Sequence, residues 1–287
     1  MNVPDKLDLH LHSTVSDGTD SPQALLALVR EAGLGLFSLT DHDDVKGCGQ
    51  IRPLLTDGDP AFLTGVEFSC RDEEGKYHVL GYGFDPASPA IREVLETGHG
   101  FRLRKLQSRL DALRTSFGFR FPEEELQKLR ELDNPGKPHL GNLMVKYGFA
   151  VTKEEAIRKY IDRLHSSTEY VRPETAVEGI LRAGGIPVLA HPAFGSGEEL
   201  IRGEDIDRRL RKLMGFGLQG LEAFYSGFDE DLRREMLDFA ARYGLYVTAG
   251  SDYHGKNKSI SLGSTGLETC AELPEGLLRF LKDVNYD

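Results

Sequence analysis

The sequence predicts an α/β fold in which a parallel, barrel-like sheet is interrupted by one helical insertion. Three observations lead there. Short apolar strands alternate with amphipathic helices in both outer thirds of the chain, a central stretch carries helices without an apolar strand, and metal-binding side chains recur at the trailing ends of strands. At 287 residues the chain is long for one domain, yet α/β barrels reach this length as a single unit. The expected boundaries are a barrel over 1–96 and 169–287 and an insertion over 97–168.

The elements follow in order. The alternating run 6–10 reads as a strand, and 21–32 as a helix opened by Ser21-Pro22. Residues 36–40 form the next strand, 45–55 a helix and 62–67 a third strand, with 78–84 a fourth reached through the polar turn 71–76. Charged amphipathic helices over 101–116 and 122–130 mark the insertion. Strands at 186–190, 221–224 and 246–250 then alternate with helices near 205–216 and 229–243.

Composition excludes several function classes. With 39% hydrophobic and 28% charged residues the chain buries a core and is not disordered. A net charge of −11 opposes duplex nucleic acid as a partner, although divalent cations in one cleft would reverse the local field where a phosphate binds. The start lacks the basic region and apolar run of a secretory signal and no stretch is long enough to span a membrane, so a cytoplasmic protein without a membrane partner is expected. A monomer is the default expectation. Three cysteines without knuckle spacing, Cys48, Cys70 and Cys270, predict buried thiols and no disulfide framework.

The first strand ends in His10-Leu11-His12, and the period of a strand turns both imidazoles the same way, toward one metal. Asp17 follows in the next turn, and His42, Glu67, His191, Asp252 and His254 each close a later strand, while His78 opens one. Barrel enzymes place their catalytic groups at that end. A carboxylate can bridge paired cations that activate water and stabilise phosphoryl oxygens, and Glu67 is the bridging candidate. Asp41 and Asp43 are assigned to the turn, with Asp41 orienting an imidazole.

The ordered motifs His10-Leu-His12-Ser-Thr-Val-Ser-Asp17-Gly18, Thr40-Asp41-His42-Asp43, Gly65-Val66-Glu67, Ala190-His191-Pro192 and Gly250-Ser-Asp252-Tyr-His254 resemble those of the PHP (polymerase and histidinol phosphatase) family. The resemblance spans the chain. It implies a distorted seven-stranded, TIM-like α/β barrel and a trinuclear centre of divalent cations. It would place His10, His12, Glu67 and Asp252 on one metal, Glu67, His78 and His191 on a second, and Asp17, His42 and His254 on a third. Mixed imidazole and carboxylate donors suit manganese first, with iron or zinc as alternatives, over calcium or magnesium.

Within the family, the helical insertion resembles that of nucleoside 3′,5′-bisphosphate phosphatases and short-RNA 5′ exonucleases, which implies a small phosphorylated substrate, a nucleotide. Asn134-Pro-Gly-Lys137-Pro-His139 looks like the insertion motif that brings Lys137 and His139 to a phosphate. Ser13 and Lys256 are further phosphate candidates, and Phe194, Tyr225 and Tyr253 are aromatic faces for rim packing or for stacking on a base. His191-Pro192 is followed by Ala193-Phe194 where these relatives carry Gly-Arg. The rival readings are a histidinol-phosphate phosphatase, an amidohydrolase cleaving C–N bonds, and a catalytically silent metal-stabilised binding module.

Overall fold

A computed structural model describes residues 6–164, 169–194, 200–270 and 272–286. Seven strands, β1 (Leu7–Leu11), β2 (Leu36–Leu39), β3 (Ala61–Asp72), β4 (Gly75–Tyr82), β5 (Ile186–Leu189), β6 (Gly220–Tyr225) and β7 (Tyr246–Gly250), pair in sequence order. The first and last strands meet at a seam. Leu11 bridges Tyr253, the His12 amide donates to the Tyr253 carbonyl at 2.9 Å, and Asp8 accepts from the Ser251 amide and hydroxyl. The result is the distorted barrel implied by the resemblance.

One strand departs from the parallel expectation. β3 and β4 pair antiparallel, as do β4 and β5, whereas the other ladders are parallel. Only Glu73 and Glu74 separate β3 from β4, and Gly75 at φ 135° completes the turn. Two residues close a hairpin but cannot make a parallel crossover. The reversal brings the leading half of β4 to the end of the barrel where the parallel strands finish. His78 therefore joins the other motif residues although it lies early in its strand.

The helices are α1 (Pro22–Glu31), α2 (Lys46–Ile51), α3 (Pro89–Phe117), α4 (Glu123–Arg130), α5 (Lys137–Lys146), α6 (Lys153–Lys159), α7 (Pro173–Arg182), α8 (Glu204–Gly215), α9 (Glu230–Tyr243) and α10 (Glu275–Asp283). Ser21 caps α1 by accepting from the Ala24 amide at 3.2 Å, as its Ser-Pro start suggests. Helix α3 starts well before the expected 101 and runs without a break through Gly98 and Gly100. Its early residues Ile91 and Val94 belong to the barrel's core, while Leu106, Leu110 and Leu113 belong to a separate core shared with α4, α5 and α6. One unbroken helix thus passes from the barrel's core to this second one. The expected far boundary of the insertion lies outside the described residues. No disulfide forms among the described residues: Cys48 and Cys70 are buried and Cys270 is half-buried.

Candidate metal centre and substrate cavity

All nine predicted ligands converge at one end of the barrel. Glu67, on the β3 ladder and 1% exposed, directs Oε2 at His10 Nε2 (3.3 Å), His12 Nε2 (3.1 Å) and His42 Nδ1 (3.1 Å). Its Oε1 faces His78 Nδ1 at 2.7 Å and His191 Nε2 at 3.2 Å. Asp252 Oδ1 approaches His10, His12 and His254 at 3.6, 3.4 and 3.3 Å. Asp17 Oδ1 lies 3.1 Å from His254 Nε2 and 3.9 Å from His42 Nε2.

The backbone is contorted to make this possible. His191 (φ 26°), Asp252 (φ 58°) and Asp43 (φ 50°) all occupy left-handed conformations without being glycine, a strain that clusters at functional sites. Gly18 lets the loop carrying Asp17 fold back on the first strand, since a Cβ there would stand 2.2 Å from the His12 carbonyl oxygen. Three imidazoles are also turned deliberately. His10 Nδ1 pairs with Glu222 at 2.9 Å, His12 Nδ1 with Ser16 Oγ at 3.3 Å and His254 Nδ1 with the Asp252 carbonyl at 2.9 Å, so each presents Nε2 to the centre. Asp41 holds Ser16 in turn at 2.7 Å, which makes it an orienting group for His12 through that hydroxyl.

The donor set fits divalent cations. His10 Nε2, His12 Nε2, Asp17 Oδ1, His42 Nδ1 and Glu67 Oε2 are buried, face one another and have no hydrogen-bond partner. Such atoms are costly unless something positive sits between them. Burial opposes ionisation of Glu67, Asp17 and Asp252, but the surrounding imidazoles, and Lys258 first for Asp252, hold all three well below the usual carboxylate range. Burial pushes His42, His78 and His254 down, which keeps them neutral donors. Burial also disfavours charge on His10 and His12, yet the adjacent carboxylates outweigh it, raising His10 well above its ordinary value and His12 to about 9. Within 4.8 Å, ligand atoms group as His12, Asp17, His42 and His254; His10, His12 and Glu67; His10, His191 and Asp252; and His42, Glu67 and His78.

The predicted phosphate contacts fare differently. Ser13 is fully buried and its hydroxyl donates to Asp41 at 2.7 Å, inside the turn. His139 Nδ1 accepts from the Gly136 amide at 3.0 Å and caps α5. Lys256 is exposed, anchored through its backbone to Thr19, and it is Lys258 whose amine reaches Asp252. Lys137 does line the cavity, with its amine paired to Asp162. Tyr225 donates to Asp252 at 3.1 Å and packs with Phe194 and Phe228, and Tyr253 donates to Asp20 at 2.9 Å. Phe194 and Tyr225 therefore serve as packing, as does Tyr253.

A cavity of about 300 Å³ runs from Asp17, His42 and His78 to a wall of cations that the motifs did not reveal. Lys76 lies two residues from His78 on the same face of β4, roughly 7 Å along the strand. Arg102, Lys105 and Arg109 follow at helical spacing on α3. Arg102 is tethered to Asp43 at 2.5 Å and to Ser69 at 2.7 Å. Lys105 sits 3.1 Å above the Tyr170 ring, and burial with the neighbouring Arg102 and Arg109 charges pushes it down to about 6. Arg109 buries its Nε without a hydrogen-bond partner. Several cations held together against burial in a chain of net charge −11 make a receptor for an anion.

No family model matches the chain. It is 30% identical over 258 residues to the 3′,5′-nucleoside bisphosphate phosphatase of Chromobacterium violaceum, spanning 86% of this chain and 87% of that protein. It is 28% identical over 261 residues to a 5′-3′ exoribonuclease of Haemophilus influenzae, spanning 90% and 93%. A crystal structure of a metal-dependent phosphoesterase from Bifidobacterium adolescentis superposes with a TM-score of 0.82 at 27% identity, covering 97% of this chain and 96% of that one. With these relatives, this barrel and this cluster of imidazoles and carboxylates, the chain belongs to the PHP metal-dependent phosphoesterases, hydrolases of phosphoester bonds.

Proposed function

We propose that the protein hydrolyses phosphate monoesters of nucleotides that carry a second phosphate, either nucleoside 3′,5′-bisphosphates or short 5′-phosphorylated oligonucleotides. The observation that carries this reading is the single cavity with ligand-type groups at one end and Lys76, Arg102, Lys105, Arg109 and Lys137 at the other. The relatives named as a bisphosphate phosphatase and an exoribonuclease support it. Three divalent cations, manganese by preference, would be held by His10, His12, Glu67 and Asp252, by Glu67, His78 and His191, and by Asp17, His42 and His254, whose donor atoms face one another within each set. Such ions supply Lewis acidity and activate water for attack on phosphorus.

The chain's own groups perform the rest. Glu67 presents a different oxygen to each side of the cluster, the arrangement a bridging carboxylate needs. Lys258 and Tyr225 hold Asp252 Oδ2, leaving Oδ1 for the centre. The insertion, through the α3 cations and Lys137, caps the cavity and fixes the second phosphate, so that the scissile one is oriented by two anchors rather than one. The test is Mn²⁺-dependent phosphate release from adenosine 3′,5′-bisphosphate, AMP, histidinol phosphate, a cyclic phosphodiester and a short 5′-phosphorylated RNA. Turnover should be highest for the bisphosphate or the RNA, and a preference for histidinol phosphate would overturn the reading.

A further inference from the structure

We propose that Glu222 is a positioning residue of the metal centre, fixing the tautomer of His10 on one strand and the backbone of His191 on another; this rests on reading the cluster as a metal centre. Glu222 lies on β6 beside a register irregularity in the β6–β7 ladder and is fully buried. Its Oε1 is 2.9 Å from His10 Nδ1, and its Oε2 accepts from the His191 amide at 2.8 Å. That amide belongs to a residue at φ 26°, which the bond helps to hold. The neighbouring strand makes room, because a Cβ on Gly250 would stand 2.5 Å from Glu222 Oε1 and 2.2 Å from the His10 Cβ.

Both partners of Glu222 donate, so the position requires two acceptors. A carboxylate provides them and a carboxamide does not. With glutamine, an amide NH₂ turned to His10 would require an unprotonated Nδ1 and move the proton to Nε2, the nitrogen that faces Glu67 and Asp252. Turned to His191, the same NH₂ would oppose another N–H. The first arrangement costs the centre a ligand and the second loosens the backbone that carries His191, so only the carboxylate keeps Nε2 open and His191 held at once while making His10 a more basic donor.

The test compares wild type and Glu222→Gln by Mn²⁺ titration without substrate, and reads the His10 ring by ¹⁵N NMR of ¹⁵N-histidine protein loaded with diamagnetic Zn²⁺. The variant should bind at least one cation roughly 10- to 100-fold more weakly, with phosphatase kcat returning at saturating Mn²⁺ and KM unchanged. The Zn²⁺-loaded wild type should show His10 protonated on Nδ1 and ligating through Nε2. Wild-type affinity and stoichiometry in Glu222→Gln would overturn the proposal, as would an unprotonated Nδ1 in wild type, a measurement that stands even if the variant does not fold. If wild type itself bound no cation, the metal-centre reading would fall first and this proposal with it. If metal behaves as described but none of the phosphate esters is hydrolysed, the substrate reading alone is at fault.

Discussion

Glu67 and Asp252 divide the chemistry between their oxygens: Glu67 serves two groups of imidazoles, and Asp252 turns one oxygen to the centre and the other to Lys258 and Tyr225. Replacing Asp252 with alanine removes a ligand and strands the Lys258 charge. Phosphate release should fall by a factor on the order of 10² to 10³ or more, measured at saturating Mn²⁺, and full turnover would contradict the assignment. Lys105 gives a pH signature. Its amine titrates in the folded protein near 6 against an ordinary 10.5, so it is charged below about pH 6 and neutral above. The kcat/KM for a bisphosphate should therefore decline as pH rises through 6, a limb missing for a monophosphate and in Lys105→Met. The same shift has a stability consequence. The unfolded chain takes up this proton below 10.5 while the folded one does so only near 6, so its destabilising contribution grows as pH falls between those values. Lys105→Met should accordingly melt higher at pH 7 and match wild type near pH 11 in its relative ranking.

Among the elements, β4 and α3 decide how the centre meets its substrate. The reversal of β4 places His78 beside Glu67 and Lys76 beyond it, on one face of one strand. Ten residues separate the strands expected at 62–67 and 78–84; the structure extends both until only Glu73 and Glu74 separate them, and no parallel crossover is that short. In α3, the two glycines argued against a helix on propensity alone, yet Gly98 packs so closely that a Cβ would meet the Asp43 side chain at 3.0 Å. Tertiary packing overrides propensity there. Gly98→Val should shift α3 and its cations away from the cavity and raise KM for a bisphosphate roughly 10- to 100-fold, while the protein stays folded by circular dichroism. An unchanged KM would separate α3 from substrate binding.

Across the whole molecule, what could be read from sequence was the part built from rare side chains in fixed places. Imidazoles and carboxylates at strand ends singled out all nine residues that the fold gathers into one cluster. The cationic wall stayed hidden because Arg102, Lys105 and Arg109 on an amphipathic helix look like an ordinary solvated face until the barrel covers them. Glu222 was equally silent, being one acid in the apolar run Leu221-Glu222-Ala223-Phe224. The bond from the Ser13 hydroxyl to Asp41 was hidden too, because proximity in sequence to His12 said nothing of where that hydroxyl would point. Because the buried donors sit unpaired without cations, chelation should lower Tm by roughly 5–10 °C in a chain of this size. Calorimetry with and without EDTA checks it, and an unchanged Tm would show that the cluster does not bind metal.

One cavity is proposed to recognise two phosphates, one at the ligand cluster and one at the cationic wall. The most direct measurement is the ratio of kcat/KM for adenosine 3′,5′-bisphosphate to that for the adenosine 3′- and 5′-monophosphates at about pH 6, where Lys105 takes up its proton, in wild type and in the Lys105→Met, Arg109→Met double variant. Each charge-assisted contact to phosphate contributes about 1.5–3 kcal/mol, so wild type should favour the bisphosphate by roughly 100-fold or more and the double variant should lose most of that preference with monophosphate turnover intact. Equal ratios in the two proteins would contradict recognition of a second phosphate by this wall.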